Sequence, residues 1–257
     1  MRRVTTWNVN GIRAALRKGM AEDLQRLKPD VLMLQEVRAL PEQLSAEWRD
    51  PSGWNVTWHP AQKKGYSGVS TWTRAAHEVL VRGIDGGADD EGRVLTVQAG
   101  ALRCVNVYLP SGSSGTEKQE KKERFMADFL PWAARMAADD VPTVIVGDLN
   151  IAHTENDIWN PTGNKKNSGF LSHERQWFTE LLATGWTDVF REHFGMVKGP
   201  YSWWSNRGQA RAKDRGWRID YVLANALAAR AMTSVSVDRQ AGITTSDHAP
   251  VSVDFDL

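Results

Sequence analysis

The sequence predicts an α/β fold of packed β-sheets covered by helices. Three observations lead there. Short strand-like runs recur along the whole chain, and helical periodicity breaks in at a few places between them. Two runs, VLMLQEV (residues 31–37) and TVIVGDLN from Thr143, are apolar at consecutive positions, as strands covered on both faces are. With 257 residues, 41% hydrophobic and 25% charged, the chain can bury a sizeable core, which excludes collagen-like, disulfide-scaffold and broadly disordered classes. No internal repeat, long linker or low-complexity tract divides it, so residues 1–257 read as a single domain.

Residues 3–9 read as the first strand. Helical spacing follows from Ile12 through Leu16, Met20 and Leu24 to Leu27, with Pro29 just past its end. Residues 31–37 form a buried strand ending in a carboxylate. Strand-like runs at 54–58, 68–73, 79–82, 93–99 and 102–108 are separated by Gly or Asp clusters, as in antiparallel meanders. Residues 118–138 read as a helix interrupted or kinked near Pro131. After the strand from Thr143, residues 174–183 are helical, and 217–224, 233–237 and 251–255 are late strands.

Polar residues stand at the ends of the apolar strands. They are Asn8 and Asn10 in TWNVNG, Glu36 in LMLQE, Asp148 and Asn150 in VIVGDLN, and Asp220 in GWRIDYV, with Asp247 and His248 in SDHAPV before the last strand. Each alone has an ordinary explanation as a cap, a turn or a solvated strand end. Together they are a site, because the edge of a rigid sheet is where loops assemble chemistry. Glu36, Asp148 and Asp247 are hard oxygen donors that suit Mg²⁺ or Mn²⁺, and no Cys/His spacing for zinc exists. Carboxylates, amides and an imidazole around such an ion are the equipment for water attack on a phosphorus centre. No nucleophile elbow and no P-loop is present.

The segments TWNVNGIRA, LQE, GYSG, NVYLPSG, GDLNIAHTENDIWNP, GNKKNSGF, GWRIDY and SDHAPV resemble the exonuclease III family of apurinic/apyrimidinic endonucleases, within the deoxyribonuclease-I-like superfamily. The resemblance spans residues 4–255. It implies a four-layered α/β sandwich, two mixed sheets face to face with helices outside. It implies a metal-dependent repair nuclease that hydrolyses the phosphodiester 5′ to an abasic site, leaves a 3′-hydroxyl and also trims or degrades 3′ ends. On these positions it makes Glu36 the principal metal ligand, with Asn8 and Asp247 at the metal. Tyr108 reaches the scissile phosphate, Asp148 activates water, Asn150 orients Asp148 and the phosphate, and His248 binds a phosphate oxygen while Asp220 fixes its tautomer. Asn10 and Ser111 depart from the family pattern, and Arg207-Gly208 stands where relatives carry apolar wedge residues.

The net charge is only +1, so a nucleic-acid partner must be read from clustering. Arg207, Arg211, Lys213, Arg215 and Arg218 lie beside Trp203, Trp204 and Trp217, and Lys165 and Lys166 lie between Asn164 and Asn167. Guanidinium groups mixed with indoles suit phosphate contact and stacking. The basic run from Lys118 through Lys121 and Lys122 to Arg124 reads as a solvated helix face. By resemblance, Trp203, Trp217 and Ile219 line an apolar pocket for a base-less deoxyribose, and Arg13, Tyr66, Asn160, Asn164 and Asn167 complete the DNA-contacting set. The remaining tryptophans are assigned to the core.

The partner expected is therefore duplex DNA containing abasic sites, met by a monomer. One cysteine, no long apolar stretch and no hydrophobic signal core point to the cytoplasm, without a membrane. Two other readings are a catalytically silent nucleic-acid-binding regulator on the same fold and another phosphodiesterase of the superfamily. A silent relative would have lost part of the constellation, and this chain retains all of it.

Overall fold

The computed structural model describes residues 2–113, 115–240, 243 and 245–257. The chain runs through β1 (Arg2–Asn8), α1 (Ile12–Arg17), α2 (Met20–Leu27), β2 (Val31–Gln35), α3 (Ala46–Arg49), β3 (Asn55–His59) and β4 (Val69–Thr73). Next come β5 (Glu78–Arg82), β6 (Val94–Ala99), β7 (Leu102–Tyr108), α4 (Thr116–Ala137), β8 (Thr143–Asp148), α5 (Pro161–Asn164) and α6 (Ser172–Ala183). The last part holds β9 (Thr187–Asp188), α7 (Val189–Phe194), β10 (Trp203–Trp204), β11 (Gly216–Trp217), β12 (Asp220–Ala224), α8 (Ala226–Arg230), β13 (Met232–Val237) and β14 (Val251–Phe255).

Two six-stranded mixed sheets result, in the orders β13-β14-β1-β2-β4-β3 and β5-β6-β7-β8-β12-β9. The consecutive apolar residues of β2 divide between two cores, because successive side chains on a strand point to opposite faces. Val31 and Met33 meet Leu95, Val97, Val144 and Val146 of the other sheet. Leu32 and Leu34 turn outward onto Ile12, Met20 and Leu24 of α1 and α2, with Trp7 and Trp72. On the far side Val105, Ile145 and Leu223 receive Phe129, Trp132, Phe178 and Leu181 from α4 and α6. Helices, sheet, sheet and helices make the four layers.

The expected helix from Ile12 to Leu27 is two helices. Its apolar spacing is continuous, but Gly19 sits at φ 105 and ends the first hydrogen-bonded run. The long helix α4, in contrast, runs without a break past Pro131. The short pieces α3, α5, α7, α8, β9 and β10 had no periodicity long enough to read. Among the described residues no helix is long and apolar enough to cross a membrane.

The topology explains where the site lies. Strands β1 and β2 are parallel, as are β7 and β8, so their C-terminal ends share an edge. Strand β12 is antiparallel to β8 and β14 to β1, so these two begin where the others finish. Asn8, Glu36, Tyr108, Asp148, Asp220 and His248 are thereby delivered to one rim. The pairing puts Tyr108 and Asp220 opposite Asp148 on its two sides. Gly147 permits it: at φ 145, a Cβ there would lie 1.9 Å from the Val107 carbonyl oxygen.

Candidate active site

Asp148 is the buried centre of the rim. Its Oδ2 accepts from Asn8 Nδ2 (2.8 Å) across the gap between the sheets, and its Oδ1 accepts from the Asn150 backbone N–H (2.9 Å). His248 Nδ1 donates to Asp220 Oδ2 (2.9 Å), which also accepts from Ser202 Oγ (2.6 Å). His248 Nε2 stands 4.0 Å from Asp148 Oδ2, too far for a hydrogen bond, and so points its N–H at the space between them. Asp247 is held by Asn10 Nδ2 (2.9 Å) and Trp203 Nε1 (3.0 Å). Glu36 forms an ion pair with Arg38.

Asn10, Glu36, Arg38, Asp148, Asn150, Trp203, Asp247 and His248 face one cavity of about 590 Å³, lined also by Tyr108, Ser111, Lys166, Asn167, Trp217 and Ile219. Four of its lining residues, Asn10 (φ 46), Glu36 (φ 55), Arg38 (φ 52) and Asn150 (φ 50), hold left-handed backbone without being glycine. Such strain costs energy and persists where the surrounding structure overdetermines it, as it does at functional sites.

The electrostatics separate the groups into roles. Burial and the neighbouring Asp220 raise the Asp148 carboxyl to about 7, although His248 and the Asn8 amide work the other way. Burial disfavours a charged His248, but the Asp220 carboxylate outweighs it and holds the ring up at about 10. Burial also opposes ionisation of Asp247, yet His248 and the Trp203 and Asn10 N–H groups keep it below the usual carboxylate range. Burial, with Glu36 and Asp148 nearby, pushes the Tyr108 hydroxyl well up, so it remains a neutral donor.

The chain that builds this arrangement, an imidazole facing a buried carboxylate at the mouth of a two-sheet sandwich, is matched over most of its length by a known family. The profile described as the Endonuclease/Exonuclease/phosphatase family covers residues 5–248. The chain belongs to that family. Over 253 residues it is 34% identical to an exodeoxyribonuclease of Bacillus subtilis (strain 168), with 98% of each chain covered. It is 34% identical over 261 residues to a DNA-(apurinic or apyrimidinic site) endonuclease of Dictyostelium discoideum, covering 99% of this chain and 71% of that one. A 3′ phosphatase from Neisseria, NExo, bound to product DNA hairpin, superposes with a TM-score of 0.91 at 30% identity over the whole of both chains.

Within this endonuclease/exonuclease/phosphatase frame the donor set can be tested for a divalent ion. Asp148, Asp220 and His248 offer ligand atoms within 4.8 Å of one another. In that trio His248 Nδ1 is already committed to Asp220 (2.9 Å). The oxygens at the other end of the cavity fit a hard cation better. Both Asp247 oxygens accept N–H groups, whereas among the described residues the Glu36 carboxylate is paired with the half-exposed Arg38 guanidinium. Asn8 is placed differently from the expectation. It is fully buried behind the cavity, its Nδ2 given to Asp148 and its Oδ1 accepting from Asn10 N (3.0 Å). It props the carboxylate from behind.

Other expected residues divide. Asn150 steadies Asp148 through its backbone, and its side chain donates to the Leu109 carbonyl (2.8 Å). Trp203, Trp217 and Ile219 form an apolar cluster with Ala152, Ile158 and Phe170 at the cavity wall. Asn160 and Asn164 organise the turn between them, accepting from Gly163 N and donating to the Asn160 carbonyl, and Asn167 reaches the cavity. Lys166 rather than Lys165 lines it. Arg13 lies with Arg17 and Arg38 in a neighbouring basic cleft, and Tyr66 with Lys118, Lys121 and Arg124 in another.

Three cations expected at the surface are wholly or partly withdrawn from it. Arg211 is half-buried and donates to the carbonyls of Ser246 (2.8 Å) and Arg239 (3.0 Å). Arg218 is fully buried between Asp157 and Asp188. Lys122 is buried on Glu174 (2.7 Å) and the Asn150 carbonyl (2.9 Å), so one member of the supposed solvated face clamps the site loop. Arg207 is exposed. Sequence reasoning missed Arg38, Ser202 and Ser246, whose hydroxyl donates to the Asn8 carbonyl (2.7 Å) and accepts from the His248 backbone N–H (3.1 Å). Only Arg38, two residues past Glu36, carried a signal that could have been read.

Proposed function

We propose that this chain is a DNA-repair nuclease that hydrolyses the phosphodiester 5′ to an abasic site in duplex DNA. The bond cleaved is that between phosphorus and the 3′-oxygen, so the products carry a 3′-hydroxyl and a 5′-phosphate. The same site trims 3′ ends. One observation carries the reading: a carboxylate raised to about 7 and an anchored imidazolium face each other across 4.0 Å, beside an apolar wall of Trp203, Trp217 and Ile219.

Asp148 takes the proton of the attacking water, for which a carboxyl raised toward neutrality is suited. His248 directs its Nε2–H at a phosphate oxygen and strengthens that contact as charge develops. Asp220 keeps the ring charged and aligned, and Ser202 keeps Asp220 in place. Tyr108 donates from its neutral hydroxyl. Glu36, with Asp247 nearby, would hold Mg²⁺ or Mn²⁺, and such an ion would supply charge neutralisation at the phosphate. The apolar wall accepts a sugar without a base and offers no partner to a nucleobase edge. A catalytically silent role is disfavoured by the intact hydrogen-bonded constellation.

The test is incubation with a duplex carrying one tetrahydrofuran abasic analogue, with Mg²⁺ and with EDTA. Cleavage on its 5′ side in Mg²⁺ alone supports the reading. Cleavage that ignores EDTA, or an intact analogue strand, overturns it.

A further inference from the structure

Among the twelve tryptophans, Trp159 alone is exposed, at 37%. Its position is fixed by the wall of the site. Ile158 bridges Trp217 and packs inward with Trp203 and Ile219, and the Trp159 backbone N–H donates to the Gly216 carbonyl (3.0 Å). Side chains alternate along an extended segment, so Trp159 turns to the outside of the same rim. Arg215 lays its guanidinium over the indole at 4.7 Å. The segment at 196–199 lies alongside. Lys198 Nζ donates to the Trp159 carbonyl (3.2 Å), and Asn156 Nδ2 to that of Met196 (2.8 Å). Met196 and Val197 are 60% and 48% exposed, so three of the six exposed large apolar side chains among the described residues lie on these two hydrogen-bonded segments, with Arg215 and Lys198 beside them.

We propose that Trp159, with Arg215 stacked on it, is a platform for an unpaired nucleotide of the DNA flanking the reacting phosphodiester. Every base has a π-face, so an exposed indole binds any of them. Arg215 and Lys198 meet the phosphates on either side. Continuity with the Trp217 wall makes DNA the occupant: the outer ring and the inner pocket belong to one backbone bridge. The proposal rests on the DNA-nuclease reading above. It adds a preference for substrates with unpaired nucleotides beside the lesion.

The experiment is fluorescence anisotropy in EDTA with two probes. One is a fully paired duplex with a single tetrahydrofuran site, and the other has the nucleotides flanking that site left unpaired. Trp159→Ala should bind the unpaired probe about 5- to 150-fold more weakly, the range for loss of one stacked base, and the paired probe within about twofold of the wild type. Trp159→Phe should keep most of the affinity, and Arg215→Ala should show a shallower salt dependence. Equal affinity of wild type and Trp159→Ala for both probes overturns the platform and assigns the patch to another partner, such as a protein. An equal loss on both probes, or a Phe variant as weak as the Ala variant, also overturns it. If the wild type binds neither probe, the nuclease reading itself fails, which is a separate result.

Discussion

Gln35 Nε2 donates to Asn106 Oδ1 at 2.7 Å through the middle of the sandwich, joining β2 of one sheet to β7 of the other. Both residues are fully buried. Gln35 accepts from Thr6, and Asn106 Nδ2 donates to the Leu34 and Ser70 carbonyls (3.2 and 3.0 Å). Gln35 precedes Glu36 and Asn106 lies two residues before Tyr108, so this network sets how the halves of the site face each other. Gln35→Leu strands buried partners and should cost about 1–3 kcal/mol for each group left unsatisfied. Denaturant unfolding of Gln35→Leu, Asn106→Leu and the double variant should show losses well short of additive. Strict additivity would mean that the two amides do not act as a unit.

Glu36→Ala should weaken divalent-metal binding, measured by calorimetry in the absence of DNA, and lower incision strongly. High Mg²⁺ or Mn²⁺ should restore part of the activity. Arg38→Ala should act in the opposite sense on affinity, because it removes the cation that competes for the Glu36 carboxylate. Unchanged metal affinity in Glu36→Ala would move the ion elsewhere.

His248→Asn and Asp220→Asn should each lower turnover on abasic DNA by about two or more orders of magnitude, the scale of losing an electrostatic stabiliser. Ground-state DNA affinity should be largely retained. The double variant should lose little more than the worse single one, since the carboxylate acts through the ring it holds at 2.9 Å. A fully additive cycle would separate their roles.

Salt dependence distinguishes the cations that face the cavity from those that brace the protein. Lys166→Ala should flatten the log–log salt slope of DNA binding by about one unit. Arg211→Ala should leave the slope unchanged and lower the unfolding midpoint, because its N–H groups serve the Ser246 and Arg239 carbonyls. A flatter slope for Arg211→Ala would put its charge back on the DNA.

The contrast between those two residues marks what was legible. The strands and the polar residues at their ends could be read because period and run length are local, and Asp148, Asp220 and His248 stand where the strand ends require. The partners of charges could not. Arg218 and Lys122 sit among other cations in the sequence, but their counter-ions Asp157, Asp188 and Glu174 come from distant segments, and only the fold brings them together. For the same reason the left-handed turns at Glu36 and Asn150 and the Ser202 contact with Asp220 left no local trace.

Acid stability should depend on Asp157. Its carboxylate accepts from Arg218 Nε (2.6 Å), from Arg191, and from the Thr154 N–H and hydroxyl (both 2.8 Å). Burial alone would raise its pKa, but the two guanidinium groups outweigh that and hold it well below the carboxylate range. A folded-state pKa below the unfolded value, about 3.9, gives stability that is fully present above that value and lost as pH falls through the folded one. At pH 7, Asp157→Asn leaves Arg218 with Asp188 alone and should cost about 3–5 kcal/mol, the scale of breaking a buried pair. Below about pH 4 the unfolded wild-type chain takes up a proton at this carboxylate while the folded protein keeps it ionised, so the stability supplied by the ion pair falls and the gap between the two proteins should narrow. Urea unfolding at pH 7, 5, 4 and 3 measures it. A gap that stays constant through pH 3 would show that the ionised Asp157 is not what holds the β11–β12 segment against α7.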